Sequence, residues 1–365
     1  MLNSADQLCR LWLSLCEGVS LKAREKLLHL YGSYEAVFEQ FPRGTSGILS
    51  AKTIQELSRL KAIGVDKLLL RLEELHINVS FVGDENYPIL LSNIQDAPDT
   101  LFYKGILFRE EVPSVAIVGS RRETRYGRNQ AFNIAQELAR QGVCIVSGLA
   151  RGIDTAAHQG ALAAGGRTIA VLGSGLNRMY PAENLKLAEE IISAGGAVIT
   201  ELPPNTEPLA YHFPIRNRIV SGLAHATVLV EAREKSGTLI TLNHALEQGR
   251  EVFALPGEVD SPGSVIPNRM IREGARLCTC AGDILEDMGW IAYPCKEEQL
   301  GFPSMELNTE QTLIYEALQD DSKSFEELIA ITKLDTAQLN TQITFLELDG
   351  IIEILPGRMF KLGKA

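Results

Sequence analysis

The sequence contains no apolar run of about 18 residues, so nothing in it predicts a helix that crosses a bilayer. Its first ten residues, MLNSADQLCR, carry neither the basic start nor the small-residue cleavage site of a secretory leader, and the expected location is the cytoplasm. The six cysteines (Cys9, Cys16, Cys144, Cys278, Cys280 and Cys295) include no C-x-x-C and no paired histidine spacing. That argues against a zinc site or a disulfide framework and reads them as buried or incidental thiols. Histidine is sparse, with six in 365 residues, and no metal-ligand constellation is visible. A G-x-x-x-x-G-K-[ST] phosphate loop is missing, as is the G-x-S-x-G elbow of serine hydrolases. A hydrolytic triad can be drawn from Ser147, His158 and Asp154, but His158 reads better as a buried hydrogen-bonding residue. No cofactor is expected.

Lysine is nearly missing from the middle of the chain, where 15 of the 17 cations at 113–277 are arginine. A solvated surface normally mixes the two, whereas the planar guanidinium suits phosphate and stacks on bases. The overall charge is −11, but residues 1–112 carry −3, 113–277 carry +2 and 278–365 carry −10. The acidic sum therefore hides one segment able to meet a polyanion.

Periodicity divides the chain into three domains, 1–72, 75–292 and 305–365. The first shows apolar residues at helical spacing (Leu8, Leu11, Trp12, Leu15; Leu27, Leu28, Tyr31; Leu68, Leu69, Leu72) broken by turn-like EGVS, YGS and FPRGTSG. From about 77, short β-rich runs follow: VSFVG, LFYKG, VAIVG, CIVSG, TIAVLG, AVITE, TVLVEA and VFALPG. Helical segments at 128–140, 184–194 and 238–248 alternate with the later ones. This order predicts an α/β fold, a doubly wound, mainly parallel sheet covered on both faces. An acidic, Pro-containing linker, YPCKEEQLGFPSMEL, leads to three helices (Glu310 to Leu318, Phe325 to Thr332, Thr336 to Leu348) and a strand pair turned at Pro356-Gly357, the order of a winged helix.

Ligands of open parallel sheets gather at the carboxyl ends of strands, beside helix N-termini. Those ends carry Gly119, Ser120, Arg121 and Arg122; Ser147, Gly148, Arg151, Gly152 and Asp154; and Gly173, Ser174, Gly175 and Asn177. Small residues there let backbone N–H groups approach a phosphate, which the helix dipole further attracts. A fourth loop, EAREKSGTLIT, places Lys235, Ser236, Gly237 and Thr238 at the start of a helix. In HFPIRNRIVSGLA, Pro214 allows helix from its own position onward, so Arg216, Asn217 and Arg218 fall in a first turn. Cations there oppose the macrodipole unless an anion compensates, which points to a bound polyanion or to salt bridges with Glu201 or Glu207. GSGLNR at 173–178 fits only two of the three glycines of a dinucleotide fingerprint, with Arg178 in the last place. Tyr126, Tyr180, Tyr211 and Phe213 adjoin the arginine loops as possible stacking platforms, with core packing the plainer role for Phe213.

The stretches VAIVGSRRETRYG, IVSGLARGIDTAAHQGAL, GGRTIAVLGSGLNRMYPAENLKL, FPIRNRIVSGLA, LVEAREKSGTLITLNHALEQGREVFALPG and NRMIREGA, spanning about 115–275, resemble the bacterial DNA processing protein A family, DprA or Smf. The resemblance implies an extended Rossmann-like fold, an N-terminal domain similar to sterile-alpha-motif or helix-hairpin-helix units, and a C-terminal winged helix. It further implies a non-enzymatic homodimer that binds single-stranded DNA in an electropositive pocket during natural transformation and loads the recombinase RecA. Carried over by motif, Arg121 is the principal phosphate contact, Gly119 and Ser120 shape its loop, and Arg216, Asn217 and Arg218 line the pocket. Some relatives place a lysine just after the YP of the third loop; here Ala182 stands there, followed by Glu183, with Arg178 or Lys186 as substitutes. Dimerisation is expected around 264–277, where Val265, Ile266, Met270 and Ile271 are equally consistent with an apolar surface and with buried helix packing. A related lysine-decarboxylase-like phosphoribohydrolase group shares the Gly-rich loops and is the enzymatic alternative. With 5 Lys+Arg against 11 Asp+Glu at 305–365, the winged helix suits protein contact better than a phosphate backbone.

Overall fold

A computed structural model describes residues 4–107, 112–234, 236–290, 308–318, 322–348, 351–355 and 359–362. The chain forms two compact units, 1–292 and 293–365.

The first unit begins with α1 (Ala5–Ser14), α2 (Leu21–Tyr31), α3 (Tyr34–Gln40), α4 (Ala51–Ile63) and α5 (Val65–Glu74). Ser4, Ser20, Ser33 and Ser50 each accept a first-turn N–H, the standard way to satisfy an orphan donor of a helix start. Trp12, Leu27 and Leu57 are fully buried in the core these helices share, and the Trp12 indole donates to the Leu57 carbonyl at 3.0 Å. Leu11 and Leu72 turn the other way and pack on Phe81 and Phe102 of the sheet. The Asp99 carboxylate accepts from Arg10 (2.5 Å), Arg24 (2.7 Å) and Tyr34 (3.0 Å), one group from each of three helices.

The sheet comprises β1 (Asn78–Phe81), β2 (Thr100–Gly105), β3 (Ser114–Val118), β4 (Cys144–Ser147), β5 (Thr168–Val171), β6 (Ala197–Thr200), β7 (Ala226–Leu229), β8 (Glu251–Ala254) and β9 (Arg276–Leu277). Between them lie α6 (Ile89–Ser92), α7 (Arg125–Arg140), α8 (Ile153–Ala163), α9 (Leu185–Ser193), α10 (His212–Gly222), α11 (Thr238–Glu247) and α12 (Val265–Arg272), with α13 (Ala281–Asp287) last. The strand order is β1-β2-β6-β5-β4-β3-β7-β8-β9. Strands β3 to β9 pair in parallel, and β1 and β2 add an antiparallel edge. Alternate residues of β3 serve opposite cores, Val115 and Ile117 under α7 and α8, Ala116 and Val118 under α10. From β3 the chain steps outward through β4, β5 and β6, then returns to lay β7 on the other side of β3. The reversal leaves a crevice at the carboxyl ends of β3 and β7.

All eight β-rich runs are strands; the two-residue β9 has no counterpart among them. Helix α10 starts two residues earlier than Pro214 suggests, because a first-turn N–H has no intrahelical acceptor and its loss there is harmless. Of the residues that fitted either a dimer surface or helix packing, Ile266 and Met270 are buried in the core of α11, α12 and β8, whereas Val265 is exposed.

The second unit holds α14 (Thr309–Ala317), β10 (Lys323–Ser324), α15 (Phe325–Thr332), α16 (Thr336–Leu348), β11 (Ile352–Leu355) and β12 (Met359–Leu362), a winged helix with strand order β10-β12-β11. Capping boxes start α14 (Asn308, Gln311) and α15 (Ser324, Glu327). The linker at 293–307, Cys295 and the Pro356-Gly357 turn lie outside the described residues.

Candidate functional site

A cleft of about 790 Å³ opens at the β3/β7 crevice, bounded by the loops after β3, β4 and β7, the start of α11 and the first turns of α10. Arg121 and Arg122 after β3, and Arg233 after β7, line it as exposed side chains. None of the three has an ion pair among the described residues. The Ser120 hydroxyl accepts the Arg122 N–H at 3.0 Å, which curls the loop and presents both guanidiniums. Arg121 lies over the Phe213 ring, 5.3 Å from its centroid, and Phe213 meets Tyr180 edge-on at 5.8 Å. One wall is thus aromatic and capped by a cation.

The floor is built from α8, α10 and the bare backbone of Gly148. Arg216 is buried; its Nη1 donates to the carbonyls of Gly148 (2.8 Å), just after β4, and of Val171, the last residue of β5. Burial pulls its pKa down to about 10, with Asp154 opposing and Arg121 adding to the fall, so it stays charged at neutral pH. Asp154 accepts the N–H groups of Gly148 (3.1 Å) and Ala150 (3.3 Å). Burial pushes its carboxyl above the ordinary value, while Arg216 and these two N–H groups pull the other way. A Cβ at position 148 would lie 2.6 Å from Arg216 Nη2 and 2.7 Å from Asp154 Oδ2, so only glycine fits between them.

The structure separates the residues singled out by sequence. Gly119, Ser120, Arg121, Arg122, Gly148, Arg216, Asn217, Ser236 and Gly237 converge on the cleft. Lys235 lies outside the described residues. Arg218 does not face the cleft. It forms a two-pronged pair with Glu201 (both contacts 2.7 Å) and a third contact with Asp96 (2.9 Å), at 6% side-chain exposure. Burial alone would lower its pKa, but the two carboxylates outweigh it and the net shift is upward. Because α10 begins at His212, Arg216, Asn217 and Arg218 sit in its second turn rather than the first turn expected from Pro214, and the anion that meets Arg218 is a protein carboxylate. Ser147 is buried and donates to the Ile117 carbonyl at 2.7 Å. Gly173 and Gly175 are small for packing reasons: side chains there would meet Phe213 at 2.8 Å and the Pro203 and Pro204 carbonyls at 2.3 Å. Arg151, Arg178 and Lys186 lie outside the cleft on exposed pairs with Glu183, Glu207 and Glu190. Tyr180 and Phe213 face the cleft, whereas Tyr126 donates to the Pro256 carbonyl at 2.9 Å and Tyr211 is exposed elsewhere.

Two loops expected to cradle phosphate are filled from within. Glu231, at the end of β7, accepts the backbone N–H (2.9 Å) and hydroxyl of Thr124 and occupies the anion position at the start of α7. A Cβ on Gly127 would lie 2.3 Å from the Glu231 carboxyl carbon. Asp154 does the same for the β4 loop. The pyrophosphate position of a dinucleotide fold is closed. Ser147, His158 and Asp154 form no triad: His158 bonds Thr168 at 2.7 Å, and burial lowers its pKa to about 3. Arg233 and Glu231 were not singled out as site residues by sequence; only their place after a strand at the crevice could have flagged them.

The sequence profile of the DNA recombination-mediator protein A family matches residues 78–289, more than half of the chain. The chain belongs to this DprA/Smf family. The DprA winged-helix profile matches residues 299–358. Protein Smf of Escherichia coli is 37% identical over 331 residues, covering 87% of this chain and 86% of its own length. DNA processing protein DprA of Streptococcus pneumoniae is 43% identical over 224 residues, covering 60% of this chain and 79% of its own. The X-ray structure of that Streptococcus pneumoniae protein superposes with a TM-score of 0.64 at 34% identity, covering 79% of this chain and 99% of that one. DNA processing protein A of Helicobacter pylori, solved to show its single-stranded DNA binding mode, matches with a TM-score of 0.51 at 29% identity, covering 58% of this chain and 96% of that one. Among the described residues, no helix of this family member is long and apolar enough to cross a membrane.

Proposed function

We propose that the cleft holds the sugar-phosphate backbone of single-stranded DNA and that the protein works in DNA processing. The carrying observation is the set of three exposed arginines, Arg121, Arg122 and Arg233, without carboxylate partners among the described residues, around a cleft whose floor cation Arg216 is itself buried. Other arginines of the same unit pair with acids, Arg151, Arg178, Arg218 and Arg276 among them, and it is the convergence on one concavity of three without an ion pair among the described residues that suits an external anion. Phe213 and Tyr180 supply faces on which unstacked bases rest. The single-strand binding of the Helicobacter pylori relative supports the same reading.

In this account the bound strand is protected and passed to RecA, the protein acts as a homodimer, and no bond is made or broken. The winged helix contributes a protein contact: α16, its longest helix, holds no lysine or arginine, and removal of 300–365 leaves strand affinity unchanged. Binding of oligo-dT by the Arg121→Ala variant over a salt series tests the reading. Affinity falls, and the log-affinity against log-salt slope flattens by about 0.7, the value for one single-strand phosphate contact. An unchanged affinity and slope would remove Arg121 from the site. Release of free base from AMP would favour the phosphoribohydrolase alternative.

A further inference from the structure

We propose that the bound strand does not end in the cleft but runs on along the outer face of α7, its phosphates on Arg125 and Arg128. This rests on the strand-binding reading above and extends the footprint beyond the cleft. Arg122 lines the cleft, Arg125 opens α7 three residues later, and Arg128 follows within the same turn. The last two are about 4.5 Å apart along the helix axis and about 60° apart around it. Both are exposed, and neither has an ion pair among the described residues. Glu123, the acid between Arg122 and Arg125 in sequence, holds its carboxylate over Gly152 at the start of α8, where a Cβ would lie 2.7 Å from it.

Position sets these two apart from other exposed arginines. Arg140 and Arg272, also exposed and without an ion pair among the described residues, stand in the last turns of α7 and α12, where the helix dipole itself favours a cation. Arg125 and Arg128 stand in the first turn of α7, which the dipole makes unfavourable and which holds no acid. Glu231, the anion at this helix start, is buried and bonded to Thr124; it lies against Gly127, about 200° around the helix from Arg125. Residues 129–136, NQAFNIAQ, carry no charge. The next acid along α7 is Glu137, about 18 Å from Arg125 and well beyond the screening length of about 8 Å at physiological salt. A backbone leaving the cleft past Arg122 therefore meets two uncompensated guanidiniums in succession. Because the contacts are to phosphate, they are indifferent to base identity.

The test uses the full chain, its Arg125→Ala/Arg128→Ala double variant, and oligo-dT of about 5 and about 20 nucleotides, near the lower end of single-domain strand sites and beyond their upper end. On the long strand the double variant flattens the log-affinity against log-salt slope by about 1.4, the value for two single-strand phosphate contacts, or about 25-fold in affinity at about 0.1 M salt. On the short strand, which the cleft alone holds, parent and variant bind equally. Equal slopes and affinities on the long strand overturn the proposal. Equal losses on both lengths overturn it as well, because the two arginines then belong to the cleft. Arg121→Ala separates the two claims. If it weakens both lengths while the double variant changes neither, the cleft stands and the track along α7 falls; if it weakens neither length, the cleft reading falls and the track with it.

Discussion

Arg216 and Arg218 stand two residues apart in one helix turn, and the structure gives them opposite duties. Replacing Arg218 by alanine removes a guanidinium that holds both oxygens of Glu201 at 2.7 Å and Asp96 at 2.9 Å, with side-chain exposures of 6% for Arg218 and 20% for Glu201. Breaking such a pair leaves a carboxylate largely out of water without its cation, at a cost of about 3–5 kcal/mol. Against a total of about 5–15 kcal/mol for a folded unit, that loss is severe. Replacing both partners, as Arg218→Met with Glu201→Leu, removes the stranded charge and restores most of the stability. Urea unfolding reads the free energies, and oligo-dT binding on folded protein reads the site. The expected outcome is a large stability loss for Arg218→Ala, recovery in the double variant and an unchanged salt slope in both. Full stability with a flattened slope would make Arg218 a strand contact and refute the assignment.

The remaining predictions concern the floor and the closed loop. Gly148→Ala drives a methyl into Arg216 Nη2 and Asp154 Oδ2, so thermal unfolding should show a loss of about 1–3 kcal/mol, with weaker oligonucleotide binding in the same variant. Glu231→Ala leaves the Thr124 N–H without its acceptor while the Thr124 hydroxyl still caps the Gly127 N–H at 3.1 Å, a loss of about 1–3 kcal/mol by urea unfolding. His158 is held neutral, with its pKa lowered to about 3 by burial and by Arg216, so only the unfolded chain takes up its proton as pH falls below 6.5. Its contribution is complete above pH 6.5 and declines by about 1.4 kcal/mol per pH unit toward pH 3. His158→Gln should flatten the stability profile between pH 6.5 and 5 relative to the parent, and parallel profiles would show that the imidazole is not sealed in.

Much of the scaffold was legible because its signals are local. A short β-rich run, six of the eight ending in glycine, needs no distant partner to be recognised, and all eight are strands, with GSRR turning the third, β3, into the crevice. The winged helix was readable from three amphipathic segments and a strand pair. The two-residue β9 carries no periodicity, and its pairing with β8 exists only in three dimensions. The site was harder because long-range contacts decide which cation is free. Two positions apart on a helix is about 200° of rotation, so Arg216 and Arg218 necessarily face apart, but nothing nearby in sequence says which one meets Glu201 and Asp96. The same holds for the glycine loops: Glu231 closes the start of α7 from 107 residues away. Arg233 was hidden for a different reason, since Glu231 and Glu234 flank it and make its segment look neutral.

The most direct test is a structure of the full chain with oligo-dT. The account predicts phosphates on Arg121, Arg122 and Arg233 in the β3/β7 cleft, with a base ring against Phe213 or Tyr180. A strand lying on another surface, with the cleft open and those three guanidiniums untouched, would contradict it.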